Sequence, residues 1–201
     1  MKIALFSDIH ANLPALEAFF ASVETQKPDE EKANGAVSIS YTNQIVKDQE
    51  RAYLRTLPAH IKVEFQLNND KLNLLLVHGS PRRNNEYLFE DREEKSLLRI
   101  MQDANADIMC FGHTHKPYHR ILSTDAGYRH AINIGSVGKP KDGDPRGGYV
   151  LLHINDHSNT AGKDSIRVEF IRFEYDVEKA AKAVEDSPLP QAFADALRLA
   201  K

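Results

Sequence analysis

The chain has a single cysteine, Cys110, in 201 residues. No disulfide framework can form, which fits a reducing compartment. Long apolar runs are missing too. The opening stretch from Met1 to Phe6 is too short for a secretory signal and runs straight into Ser7-Asp8. No window approaches the length of a membrane span. Charge of one sign is scarce: a formal net charge of −3 creates no long-range field to gather nucleic acid or an anionic membrane. Glycine loops of the Gly-x-x-x-x-Gly-Lys or Gly-x-Gly-x-x-Gly kind do not occur. No Gly-x-Ser-x-Gly elbow frames Ser80 or Ser136. Cys110 lies inside an apolar run, where a thiol is buried and inert. Repeats, low-complexity tracts and interdomain linkers are absent. The expectation from these absences is one cytoplasmic domain spanning residues 1–201, long enough for a sizeable core.

Histidine, by contrast, is plentiful, with nine residues. The chain is organised around Phe111-Gly112-His113-Thr114-His115. The apolar run Ile108 to Phe111 reads as a buried strand. A strand that ends in Gly and His-x-His brings two imidazoles to its carboxyl end, the edge at which open α/β sheets bind ligands. Neutral imidazole is the commonest side-chain metal ligand. Two further strands end in comparable residues. Ile3 to Phe6 predicts a strand buried on both faces, followed by Asp8 and His10. Leu72 to Val77 predicts another, followed by His78. Loops at strand ends let Asp8, His10, His78, His113 and His115 converge if the strands are neighbours. Such a mixed nitrogen and oxygen set suits Mn, Zn, Fe, Co or Ni over Mg or Ca. Each residue alone has an ordinary alternative. Asp8 can cap a helix, His10 can be an exposed loop residue, and His78 can belong to a turn. His119, His130, His153 and His157 have no partner motif and are read as packing or solvent-facing.

Around these points the pattern predicts strand pairs with helices between them. Asn12 caps a helix whose apolar stripe is Leu13, Leu16, Phe19, Phe20 and Val23. Pro28-Asp29 is the place for a second parallel strand, but Glu30 to Gly35 cannot form one, and helical signal resumes over about Ala36 to Val46. A further helix over Asp48 to Leu57 turns Tyr53, Leu54 and Leu57 inward. Ile61 to Leu67 alternates as a half-buried strand and pairs with Leu72 to Val77. Residues 81–94 form a polar loop over the site, and a helix ends near Asp103-Ala104-Asn105. Hairpins follow at Tyr118–Leu122 with Tyr128–Ile134, and at Tyr149–Ile154 with Ile166–Phe173. Helices over Val177–Val184 and Gln191–Leu199 close the chain. The class is α/β, a sandwich of two mixed sheets covered by helices.

Several motifs in this order resemble the calcineurin-like metallophosphoesterase superfamily, in its small bacterial and archaeal branch. They are Ser7-Asp8-Ile9-His10-Ala11-Asn12-Leu13, Val77-His78-Gly79-Ser80-Pro81, Gly112-His113-Thr114-His115 and Asn133-Ile134-Gly135-Ser136-Val137-Gly138. Asp142-Gly143-Asp144-Pro145-Arg146 and Tyr175-Asp176-Val177 look like that branch as well. The resemblance implies an α/β/β/α sandwich with two divalent transition metals at the strand ends, manganese first, with zinc, iron or nickel as alternatives. Asp8, His10 and His115 would hold one ion, His78 and His113 the other, and Asn12 would bind substrate. Together the ions would polarise a small phosphomonoester or phosphodiester and generate a hydroxide nucleophile.

The chain also departs from that family. The Gly-Asp motif that ends the family's second strand, whose Asp bridges the metals, is missing. So is the third strand's Gly-Asn-His-Asp, which supplies a metal-binding Asn and the catalytic His. The sandwich is therefore expected to be incomplete around residues 28–34. Two close cations without a bridging carboxylate repel each other strongly in a low-dielectric pocket, so the chain itself would hold one ion or none. Nothing sets Asp29, Glu30 or Glu31 at a strand end to replace the bridge. Two readings stand, a metal-dependent phosphoesterase and a non-catalytic relative, either a scaffold or an inactive remnant lacking the bridging Asp. A weaker third is a metal-free hydrolase using Ser80 and His78. New sheet edges would favour a homo-oligomer.

Overall fold

Ile108 to Phe111 does form a strand with every residue buried, and the main sheet is assembled around it. The computed structural model of the chain describes residues 1–5, 29–68 and 70–201. In chain order its elements are β1 (Lys2–Leu5), α1 (Asp29–Ile45), α2 (Asp48–Arg55), β2 (His60–Gln66) and β3 (Lys71–Val77). Then follow α3 (Glu94–Asp103), β4 (Ile108–Phe111), β5 (Tyr118–Thr124), β6 (Gly127–Asn133), β7 (Gly147–His153), β8 (Arg167–Phe173), α4 (Val177–Glu185) and α5 (Gln191–Leu199). The expected hairpins, the α3 helix and the two closing helices are all present.

Among the described residues the strands form two sheets, one in the order β2-β3-β4-β6-β5 and one in the order β1-β7-β8. β4 lies between two parallel partners, β3 and β6, so its backbone is satisfied on both sides and its side chains are buried on both faces. One face supplies Leu72, Leu74, Ile108, Cys110 and Ile132, which pack on Val150 and Leu152 of the smaller sheet. The other supplies Leu75, Met109, Phe111 and Ala131, which pack on Leu97, Ile100 and Met101 of α3. This gives a helix, a mixed sheet and a second sheet in successive layers. The helix expected over Leu13 to Val23 lies outside the described residues.

Helix α3 stops in a Schellman arrangement. Asn105 has φ of 51°, its amide donates to the Gln102 carbonyl, and the Ala106 amide donates to Met101. Asp176 caps α4 by accepting from the Lys179 amide at 2.8 Å. The Tyr175-Asp176-Val177 motif thus serves as a helix start.

The structure gives β1 its partner and corrects two expectations, on α2 and β2. β1 pairs antiparallel with β7, at the edge of its sheet among the described residues. As expected, the residues from Asp29 do not form a second parallel strand: Asp29, Glu30 and Glu31 open α1, ahead of the start expected near Ala36. Tyr53 and Leu57 do not point inward: they are 65% and 38% exposed, and α2 buries no residue. Ile61 is exposed on β2, an edge strand, while Val63 and Phe65 are half-buried against the core. An apolar stripe predicts burial only where the fold supplies a second surface.

His130 is completely buried, with its Nδ1 3.0 Å from Nε2 of His119 and no hydrogen-bond partner for its own Nε2 among the described residues. Burial, reinforced by the neighbouring His119 ring, pushes its imidazole down to about 4. Burial lowers His119 as well. An unfolded histidine takes up a proton at about pH 6.5. Between that value and about 4 the unfolded chain binds more protons than the folded one, so stability falls as pH falls. Urea unfolding should show a loss on the order of 2 kcal/mol from about pH 7 to about pH 4 that His130→Gln reduces. An unchanged slope in the variant would assign the acid sensitivity to other groups.

Candidate metal centre

The parallel pairing of β3 with β4 aligns Leu76 with Cys110, and the ladder continues one step further, with the Gly112 amide donating to the His78 carbonyl at 2.8 Å. His78 and the His113 loop therefore leave the sheet at the same edge. The rings meet there, with His78 Nε2 3.1 Å from His113 Nδ1. Two imidazole nitrogens at about 2.1 Å from one ion, at angles between octahedral and tetrahedral, stand roughly 3.0–3.4 Å apart. The observed spacing fits the bite of one metal.

The backbone that presents these rings is held in an uncommon conformation. His113 and His115 have φ of 65° and 60°, the left-handed region that a residue with a Cβ seldom adopts. Such a pair costs on the order of 1–3 kcal/mol per residue and persists only where surroundings impose it. Asn133, completely buried at the end of β6, does so. Its Nδ2 donates to the Gly112 carbonyl at 3.1 Å and to Thr114 Oγ1 at 2.8 Å, and its Oδ1 accepts from the Gly135 amide.

His115 is buried, with 5% of its surface exposed, and its Nδ1 lies 2.5 Å from the Lys139 carbonyl. A carbonyl only accepts, so Nδ1 carries a proton, and the tautomer this selects for the neutral ring has its lone pair on Nε2, as a ligating histidine needs. Lys139 is in turn fixed by its amide, which donates to Ser136 Oγ at 2.9 Å. Further along the same loop, Asp142 pairs with Arg172, and Arg146 grips Asp144 through two nitrogens. The Asp142-to-Arg146 motif thus braces the loop that orients His115.

Before the His113 loop comes the segment after β3. A Cβ on Gly79 would stand 2.4 Å from the Asn84 carbonyl oxygen, so this position requires glycine. Ser80 Oγ donates to Glu86 Oε2 at 2.5 Å and accepts from the amides of Arg82 and Arg83. Burial favours a neutral Glu86, but hydrogen bonds from Arg82 and Ser80, with the charges of Arg82 and Arg92, outweigh it and hold the carboxyl below its ordinary range. Ser80 is therefore committed to its loop, and the metal-free Ser80–His78 reading is not supported. Cys110 is 1% exposed, and burial drives its thiol far up, which makes it inert as expected.

The pattern of these motifs has a counterpart. A family model of the calcineurin-like phosphoesterase superfamily domain matches residues 34–157. The chain belongs to that superfamily. An uncharacterized protein of Methanocaldococcus jannaschii is 25% identical over 180 residues, which cover 83% of this chain and 66% of that protein. The chain thus spans just under two thirds of that relative's length. A metallophosphoesterase from Sphaerobacter thermophilus has a similar structure, with a TM-score of 0.66 at 21% identity over the whole of both chains. A hypothetical protein from Pyrococcus horikoshii matches with a TM-score of 0.64 at 20% identity, over 95% of this chain and 66% of that one. These likenesses show the metallophosphoesterase fold, a mixed α/β sandwich.

Of the residues singled out from sequence, the superfamily fold brings His78 and His113 into contact and sets His115 in the same loop. Asp8, His10 and Asn12 lie outside the described residues. Among the described residues no group of three or more His, Cys, Asp or Glu side chains is arranged to hold an ion. Asn133, Thr114 and the Lys139 carbonyl were not singled out, although Asn133 opens one of the quoted motifs. Asn133→Ala removes three hydrogen bonds and orphans buried groups worth about 1–3 kcal/mol. Chemical unfolding should register that loss, and metal titration should show about 10- to 100-fold weaker affinity. Unaltered affinity would mean that the histidine loop holds its shape without the asparagine.

Proposed function

We propose that the chain is a metal-dependent phosphoesterase acting on small phosphomonoesters or phosphodiesters. The observation that carries this reading is the His78–His113 pair, its nitrogens 3.1 Å apart at the carboxyl edge of parallel strands. His78 and His113 would hold an ion together. His115, with Nε2 as its lone-pair nitrogen, would serve a second position with Asp8 and His10. A bound divalent cation supplies a Lewis acid for a phosphoryl oxygen and lowers the pKa of water. Manganese is the first choice, with zinc, iron or nickel as alternatives suited to imidazole and carboxylate. The residues around the ligands have separate tasks. Asn133 keeps the left-handed turn in shape, the Lys139 carbonyl fixes the His115 tautomer, and Glu86 with Ser80 ties down the loop beside His78. Asn12 is proposed to touch the substrate.

A second reading rests on a specific feature of the sequence. The Gly-Asp and Gly-Asn-His-Asp motifs do not occur between Ile9 and His78, so no bridging Asp or catalytic His stands where the superfamily has them. A metal-binding, non-hydrolytic scaffold fits that feature. A cytoplasmic location is proposed from the single cysteine; among the described residues no helix is long and apolar enough to cross a membrane. A homo-oligomer is proposed from the edge position of β1 among the described residues.

The deciding assay uses purified protein with manganese and an aryl phosphodiester such as bis(p-nitrophenyl) phosphate. Hydrolysis should require the metal, stop with a chelator, and drop by about 100-fold or more in His113→Ala. Metal bound without turnover would establish the scaffold instead, and failure to bind any divalent metal would overturn both readings.

A further inference from the structure

The loop after His78 carries two aromatic rings that the metal chemistry leaves unused. Tyr87 and Phe89 are 40% and 44% exposed, and their planes lie 10° apart with centroids separated by 5.6 Å. The Tyr87 ring is also 4.3 Å from the ring of His113. A row of rings thus runs outward from a metal-ligand candidate to solvent. Exposed aromatics alone are common. The fixing of this segment sets it apart. Leu88, between the two rings, is completely buried, so the strand-like alternation turns Tyr87 and Phe89 to the same outer side. The Tyr118 hydroxyl donates to the Leu88 carbonyl at 2.9 Å and the Phe89 carbonyl at 3.3 Å, and Arg120 donates to the Glu90 carbonyl at 3.0 Å. Upstream, Glu86 is clamped by Ser80, Arg82 and Arg92. The rings are held in place before any ligand arrives, which removes an ordering cost from binding.

We propose that Tyr87 and Phe89 form a stacking platform for the flat aromatic group of the phosphoester substrate, a nucleobase or an aryl ring. The inference rests on the phosphoesterase reading, since it is the phosphate at the histidines that would bring the aromatic group over the platform. Stacked aromatic surface favours a ring over a sugar or an alkyl chain of the same charge.

The test is calorimetric titration of the full chain with AMP, phenyl phosphate and ribose 5-phosphate, first without added metal so that no turnover intervenes, then with manganese. AMP should bind about tenfold tighter than ribose 5-phosphate. That preference should collapse in Tyr87→Leu/Phe89→Leu and persist in Tyr87→Phe/Phe89→Tyr, which keeps both rings. A gain for phenyl phosphate as well would identify a general aryl site, and a gain for AMP alone a nucleobase site. Equal binding of all three by a protein that hydrolyses phosphodiesters would overturn the platform and leave the phosphoesterase reading intact. A preference for AMP in a protein that hydrolyses nothing would do the reverse. No binding of any phosphate would overturn the platform, and hydrolysis of the diester would then decide the phosphoesterase reading separately.

Discussion

A single backbone contact, the Gly112 amide donating to the His78 carbonyl, sets the geometry on which the site depends. It extends the parallel ladder of β3 and β4 one step past the last paired residues and stops the two strands at the same level. Without that alignment, His78 and His113 would emerge at different heights. The contact needs a buried β4, and burial of β4 needs both the α3 layer and the smaller sheet. The core therefore acts on the chemistry by keeping two strand ends in register.

Beyond the ladder, the loop after β4 trades backbone comfort for side-chain placement. Two non-glycine residues in left-handed conformation within three positions would relax if the loop were free. Asn133 and Thr114 close it from below, and the loop after β6 closes it from the side through the Lys139 carbonyl. The strain is concentrated on the two histidines proposed as ligands, while the groups that impose it are buried polar atoms with satisfied hydrogen bonds. Rigid presentation of imidazoles follows from that division.

Most of the fold was legible because its signals are local. Alternation marked β2, continuous apolar runs marked β3 and β4, and Asp125-Ala126-Gly127 marked the turn between β5 and β6. The failures share one cause. Tyr53 and Leu57 carry the right period for a buried stripe, and Ile61 the right alternation for a half-buried strand, but burial requires a partner surface that no local window contains. The site shows the same contrast. His-x-His after an apolar run announces its own chemistry. Asn133 reads as an ordinary strand end, and a backbone carbonyl such as that of Lys139 leaves no mark in the sequence at all. Glu86 and Ser80, six residues apart, become partners only because Gly79 lets the loop fold back on itself.

The departures from the superfamily's motifs bear on how many ions the chain can hold. Each cation added near another in a partly dry site raises the electrostatic energy unless anionic ligands lie between them. As ligands, His78 and His113 would be neutral, stabilising an ion by donation without cancelling its charge. His115 as a ligand would be neutral too, with the Nδ1 proton facing the Lys139 carbonyl. Asp8 is the one carboxylate in the ligand set drawn from sequence. One carboxylate and four imidazoles compensate one charge out of four on a pair of divalent ions. The same set around a single ion leaves one charge, which a phosphoester's own negative charge can meet. On these terms the proposed ligand set would favour one ion together with an anionic ligand, and a second ion would become favourable only when substrate or another carboxylate supplied the missing negative charge.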